Sequence, residues 1–168
     1  MDIDNIFSSL IKEIGYQNNK TVVINKVVMN SKEVEKNNLF VAIRGGNAYA
    51  NEALEKGAFV IYDDNTINLN SNPNSFLVDD SVKFMQKLAH QWRNTLNIKI
   101  IGITGSNGKT TVKDMVFQFL STKYKGKKTE GNYNNHIGLP FTLLKKEKND
   151  DFMVLEMGMS DFGEIELL

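Results

Sequence analysis

The sequence predicts an α/β protein. A small N-terminal α/β domain (1–80) and a connecting helix (81–96) lead into the first part of a parallel-sheet domain (97–168). Three observations predict it. Short runs rich in β-branched and aromatic residues alternate with segments of helical period. The apolar run "NIKII" leads straight into the glycine-framed stretch "GITGSNGKTT" (102–111). From Asn97 onward the order strand, loop, helix repeats, which implies parallel strands joined by crossovers.

Each element has its own signal. Ile3, Phe7, Leu10, Ile11 and Ile14 recur at helical spacing, and Gly15 stops the pattern. "TVVINKVVM" (21–29) and "LFVAI" (39–43) read as strands, parted by the polar "NSKEVEKNN". "NEALEKGA" reads as a short helix ended by Gly57, and "FVIYDD" (59–64) as the next strand. An asparagine-heavy loop (65–74) precedes a fourth candidate, "SFLVDD" (75–80). Ser81 suits the N-cap of helix 81–96, in which Met85, Leu88, Ala89, Trp92 and Leu96 form one apolar stripe. Trp92 is read as packing, and His90, off the stripe, as solvated.

In the second part, "NIKIIGIT" reads as a strand. Val112, Met115, Val116 and Phe119 then mark the expected buried face of a helix starting near Lys109. "GKKT" (126–129) is the second strand, Pro140 sits early in a helix "LPFTLLKK", and "DDFMVLEMG" (150–158) is the third strand. Asp150 and Asp151 are expected at a surface turn. "GEIELL" looks like the opening of another helix, so the chain is expected to be a fragment of a longer protein.

Bulk properties narrow the function classes. Twenty basic residues balance twenty acidic ones, so nothing electrostatic favours nucleic acid or an anionic membrane as partner. The absence of cysteine excludes disulfides and thiolate metal sites. The acidic N-terminus does not read as a signal peptide, and no run approaches the ~18 apolar residues of a membrane span. A monomeric cytoplasmic protein without membrane insertion is expected.

The chemistry concentrates in "GITGSNGKTT". A strand that turns through small residues into a helix gathers backbone N–H groups and a helix N-terminus at one point, which suits phosphate oxygens. Gly105 and Gly108 let the backbone approach an anion closely. Lys109 can reach the outer phosphates, and the Thr110 hydroxyl can ligate Mg²⁺. The spacing departs from the usual G-x-x-x-x-G-K-[ST], since Ile103 stands at the first position. Such a site needs a carboxylate beside the threonine. Glu156, ending "FMVLE", falls on the same strand edge as Lys109 and Thr110 if the sheet is parallel. The amide-rich loop "EGNYNNHIGLP" reaches that edge too, so substrate contact is expected there; the sequence assigns His136 no catalytic role.

Taken together, these residues resemble the Mur ligases. "TGSNGKTT" is similar to their shortened loop T-G-x-x-G-K-T, shared with folylpolyglutamate synthetases, which accounts for the missing glycine. "EGNYNNHIGLPFTLL", "VLEMGMSDFGEI", "NSKEVEKNNLFVAIRGG" and "ALEKGAFVI" resemble segments of one branch, the ligases that join D-Ala-D-Ala to UDP-MurNAc-tripeptide. The resemblance covers the chain from about Val27 onward. It implies three domains in the whole protein, of which this chain would hold the first and the opening of the second. It also implies ATP-dependent amide ligation through an acyl phosphate, with ATP and Mg²⁺ as cofactors. By motif match, Gly105, Ser106, Asn107, Gly108, Lys109, Thr110 and Thr111 would hold ATP, with Lys109 and Glu156 catalytic. Thr110 and Glu156 would serve the metal. Ser31 and Lys32 would contact the uridine diphosphate, and Asn134 and Asn135 the muramoyl-peptide side. The family's Asp-Ser-Arg stands here as Asn30-Ser31-Lys32, a point charge in place of a guanidinium fork. Another Mur ligase, a folylpolyglutamate synthetase, or for these residues alone a non-catalytic nucleotide-binding module, are the alternatives. The chain alone is expected to show no ligase turnover.

Overall fold

A computed structural model describes residues 2–17, 21–147 and 149–158, and the chain divides into two compact units, 1–92 and 93–168. The "GEIELL" segment lies outside the described residues.

The first unit holds one four-stranded sheet. Its strands are β1 (Val27–Val28), β2 (Leu39–Val41), β3 (Phe59–Tyr62) and β4 (Ser75–Leu77), in the order β1-β2-β3-β4. All three pairings are parallel, with Leu39 opposite Phe59 and Ile61 opposite Phe76. Alternation along β3 explains the two cores. Val60 and Tyr62 join Phe40, Ala53, Leu54 and Leu69 on one face, beneath helix α2 (Ala50–Glu55) and the 63–74 loop. Phe59 turns the other way, toward Phe7 of helix α1 (Ile3–Glu13), whose ring also meets Phe76 and Phe84 edge-on at 5.4 and 6.0 Å. Phe84 lies on helix α3 (Ser81–Thr95), which therefore packs within this unit for most of its length. Helix α1 is capped as its sequence suggests, with Asp2 accepting from the Asn5 N–H at 3.1 Å.

One expectation changes here. Only Val27–Val28 of the predicted strand 21–29 pairs; residues 21–26 run as irregular chain, anchored by the Ile24 N–H on Asp4 at 2.8 Å, with Val22 and Ile24 buried. The β3–β4 connection is the asparagine-rich loop read from the sequence; it buries Leu69, whose carbonyl accepts from the Ser75 hydroxyl at 2.6 Å.

In the second unit the strands are β5 (Lys99–Ile103), β6 (Gly126–Lys128) and β7 (Phe152–Glu156), in the order β5-β7-β6, again all parallel. Helices α4 (Lys109–Ser121) and α5 (Gly138–Leu144) occupy the crossovers. The register sets Ile103 beside Glu156, so the residue entering the glycine loop lies next to the candidate carboxylate. The expected buried face of α4 is corrected. Val112, Met115 and Phe119 are 45%, 65% and 77% exposed, whereas Lys113 is 3% exposed. The helix rests on the strands through Lys113 and Phe117, whose ring lies 5.8 Å from that of Phe152. Asp150 is corrected as well. It is buried, and its Oδ2 accepts from the Glu147 N–H at 2.7 Å, pinning the turn before β7.

Candidate functional site

The second unit gathers its polar residues at the carboxyl ends of β5 and β7, where ligands bind in open parallel sheets. Beyond Ile103 the chain leaves the sheet through Gly105 (φ 141°) and Gly108 (φ 76°), backbone regions that favour glycine. Gly108 is the N-cap of α4, so the N–H groups of Lys109, Thr110 and Thr111 form the first turn, which has no intrahelical acceptors. Ser106 and Asn107 lie exposed at the loop tip. The Lys109 ammonium folds back onto the Gly105 carbonyl at 2.7 Å, spanning the loop mouth. This is the local architecture of an anion cradle.

Beneath the loop stands Glu156, 3% exposed. Its Oε2 accepts from the Thr110 hydroxyl at 2.9 Å and lies 3.5 Å from the Lys113 ammonium. Its Oε1 accepts from the Asn134 amide at 2.9 Å, and its backbone N–H donates to Thr129 Oγ1 at 2.9 Å. Burial pushes the carboxyl pKa up, but the hydrogen bonds from Asn134 and Thr110 and the charge of Lys113 outweigh it. The group is held below its ordinary value, and so anionic. Thr110 Oγ1 and Glu156 Oε2 suit a hard divalent cation. They are oxygen donors 2.9 Å apart, close to the ~3 Å between adjacent ligands of an octahedral ion at ~2.1 Å. Among the described residues no group of three or more His, Cys, Asp or Glu side chains could hold a metal alone. A cation here would share phosphate oxygens, as Mg²⁺ commonly does.

The structure thus brings Lys109, Thr110, Glu156 and Asn134 into one cluster. Asn135 serves locally, its Oδ1 accepting from the Ile137 and Gly138 N–H groups at 3.1 and 2.9 Å at the start of α5. Lys113 and the fully buried Thr129 escape the sequence reading. Lys113 could have been noticed as a lysine inside an apolar helical stripe, one turn beyond Lys109; Thr129 carries no sequence signal.

The first unit has its own candidate edge. Ser31 and Lys32 lie in a 3-10 turn after β1, capped by Asn30, whose Oδ1 accepts from the Lys32 N–H at 3.0 Å. Ser31 is half-buried and Lys32 exposed. On the same edge, Asn47 donates to Asp63 at 2.8 Å, tying the loop after β2 to that after β3. Asp63 also accepts from the Ser81 N–H at 3.0 Å, fixing the start of α3.

Residues 103–168 match the Mur ligase middle domain. The UDP-N-acetylmuramoyl-tripeptide–D-alanyl-D-alanine ligase of Bacillus subtilis (strain 168) is 44% identical over 151 residues, which are 87% of this chain and 33% of that protein. The ligase of the same name from Synechocystis is 38% identical over 150 residues, 86% of this chain and 33% of that protein. The crystal structure of MurF ligase from Thermotoga maritima in complex with ADP matches with a TM-score of 0.74 at 37% identity, covering 88% of this chain and 35% of that one. The chain spans about a third of the length of the curated relatives it matches.

Proposed function

We propose, from the premise that this chain belongs with the Mur ligases, that it supplies the uridine-nucleotide domain and the opening of the ATP site of a peptidoglycan-precursor ligase. The reaction would join D-Ala-D-Ala to UDP-MurNAc-tripeptide in the cytoplasm, at the expense of ATP, in a protein of the relatives' length. One observation carries the reading: a Gly-Lys-Thr loop whose threonine hydroxyl is hydrogen-bonded to a buried strand-end carboxylate.

Within that reaction the residues divide the work. The loop 105–111 and the first turn of α4 bind and orient the phosphates. Lys109 swings from the Gly105 carbonyl to the outer phosphate oxygens, where its charge offsets what accumulates as the tripeptide carboxylate attacks. Thr110 and Glu156 would hold Mg²⁺, which when bound neutralises phosphate charge. The carboxylate's attack on the γ-phosphorus expels ADP and leaves an acyl phosphate, from whose carbonyl carbon the amine of D-Ala-D-Ala displaces inorganic phosphate, losing a proton as the amide forms. Asn134 and Asn135 shape the loop bordering Glu156, through which the muramoyl peptide is contacted, and Ser31 and Lys32 meet the uridine diphosphate. Stretches 1–80, 81–96 and 97–168 serve as nucleotide-substrate domain, connecting helix and partial ATP domain, and the working unit is a monomer.

The test has two arms. Calorimetry on the 168-residue chain should detect ADP binding that strengthens with Mg²⁺. The protein of relatives' length, given UDP-MurNAc-tripeptide and ATP, should release phosphate only when D-Ala-D-Ala is added. Release driven instead by a single amino acid or by glutamate would assign the chain to another branch.

A further inference from the structure

We propose that Lys113 is a positioning residue of this site, fixing the Glu156 carboxylate in the orientation that receives the metal. The inference rests on the ATP-site reading above and extends it to a residue to which the loop motif gives no part.

A lysine is almost never fully buried without a reason. Lys113 sits inside α4 with its side chain 4% exposed, and Glu156 is equally enclosed. An apolar side chain at position 113 would pack at less desolvation cost, so the ammonium must offset something. What it faces is Glu156 Oε2 at 3.5 Å and Asp114 Oδ1 at 3.6 Å. Asp114 is itself engaged by Lys128 at 2.9 Å and is part-exposed, so it does not require Lys113. Glu156 does, since no other cation pairs with it among the described residues.

The geometry gives the pairing a direction. Three donors hold the carboxylate: Asn134 takes Oε1, while Thr110 and Lys113 both take Oε2. Both oxygens are engaged, with Oε2 turned toward the loop threonine and the Lys113 ammonium 3.5 Å from that same oxygen. Of the three donors, Lys113 is the one that approaches from inside the fold, out of reach of a ligand. Lys109 and Lys113 are four residues apart on α4, so one helix face delivers one lysine to the phosphates and the next to the carboxylate beneath them. Groups behind metal ligands commonly tune affinity by 10–100-fold.

The experiment measures the ADP dissociation constant of the 168-residue chain with Mg²⁺ and with EDTA, for wild type, Lys113→Met and Lys113→Arg. Expected is a loss of roughly tenfold in the Mg²⁺ condition for Lys113→Met, less than twofold in EDTA, and partial recovery in Lys113→Arg. A wild-type chain that binds no ADP, or binds it without regard to Mg²⁺, would refute the ATP-site reading itself. Magnesium-dependent wild-type binding left unchanged by Lys113→Met would overturn the Lys113 proposal alone. Should Lys113→Met fail to fold, Glu156→Gln is compared with the double variant, which leaves no lone buried carboxylate. Equal Mg²⁺ dependence in the two supports action through Glu156. A further loss in the double variant shows that Lys113 acts elsewhere and sinks the proposal.

Discussion

Both units carry parallel strands, yet their burial differs. In the first, β1, β2 and β3 are buried throughout, and the sheet is closed by Phe7, Phe40, Tyr62, Phe76 and Leu88. In the second, β5 is half-exposed and α4 turns Val112, Met115 and Phe119 outward. What it buries at the strand ends is polar: Lys113, Thr129 and Glu156. Apolar burial stabilises at ~25 cal/mol per Å², whereas a buried ion pair barely offsets its desolvation. The contrast places the buried polar cluster of the proposed nucleotide site in the second unit, beside an apolar core of its own on β7 and α5, and, among the described residues, none of comparable charge at the strand ends of the first.

The largest effect that would break this division comes from Lys109→Ala. Removing the point charge over the loop should lower ligase turnover in the protein of relatives' length by about 10²–10³-fold. Uridine-nucleotide binding should stay within twofold, and parallel titrations with the two nucleotides check both. Equal loss of both would mean that the two sites are not separate.

Next in size is Phe7→Ala, which empties the meeting point of three aromatic rings. It should cost about 3–5 kcal/mol, seen in thermal or urea unfolding of the first unit. ADP affinity at a temperature where the variant is still folded should not change. A fall in ADP affinity would show that the second unit leans on the first.

These two residues also show how much the sequence discloses. Phe7 is legible because helical period marks a buried stripe: Phe7, Leu10 and Ile11 are buried as expected, whereas Ile14 lies at the C-cap and is exposed, and the buried Ile6 lies outside the expected stripe. Lys109, Thr110 and Glu156 are legible because a strand-loop-helix turn and a parallel register bring strand ends together, and Ile103 does lie beside Glu156. Periodicity misleads for α4. Val112, Met115 and Phe119 share a stripe, but a stripe says only that a face is apolar, not that the described residues cover it. Asp150 is misjudged, and Lys113 goes unread, for the opposite reason, because charge suggests solvent. Their burial depends on partners distant in sequence (Glu156) or on turn geometry (the Glu147 N–H) that no local pattern encodes.

A smaller effect concerns the charged rim of the second unit. Hydrogen bonds from Lys127 and Lys125, together with their charges, hold the Glu147 carboxyl at about 2, against an ordinary 4.5. A depressed folded-state pKa means the pairing stabilises fully above pH 4.5 and is lost as pH falls toward 2. Melting temperature should thus drop less steeply between pH 4.5 and 2 in Glu147→Gln than in wild type. Because Glu147 is exposed, molar salt should erase the difference. Coincident slopes at low salt would show that the pairs contribute nothing.

The smallest effect is expected from Phe119→Ser, and its size is the point. The side chain is already 77% exposed, so little apolar area returns to water on unfolding. Phe and Ser also have similar helix propensities. The 168-residue chain should therefore change stability by no more than about 0.5 kcal/mol. Phe117→Ala, two residues away and packed on Phe152, should cost visibly more in the same melt. A penalty for Phe119→Ser that grows with protein concentration would mean that a second copy covers the face. If the penalty is absent here but present in a protein of the relatives' length, the added residues complete the sheet's packing over α4. The apolar stripe read from the sequence would then be a true core position, awaiting a partner that these residues do not contain.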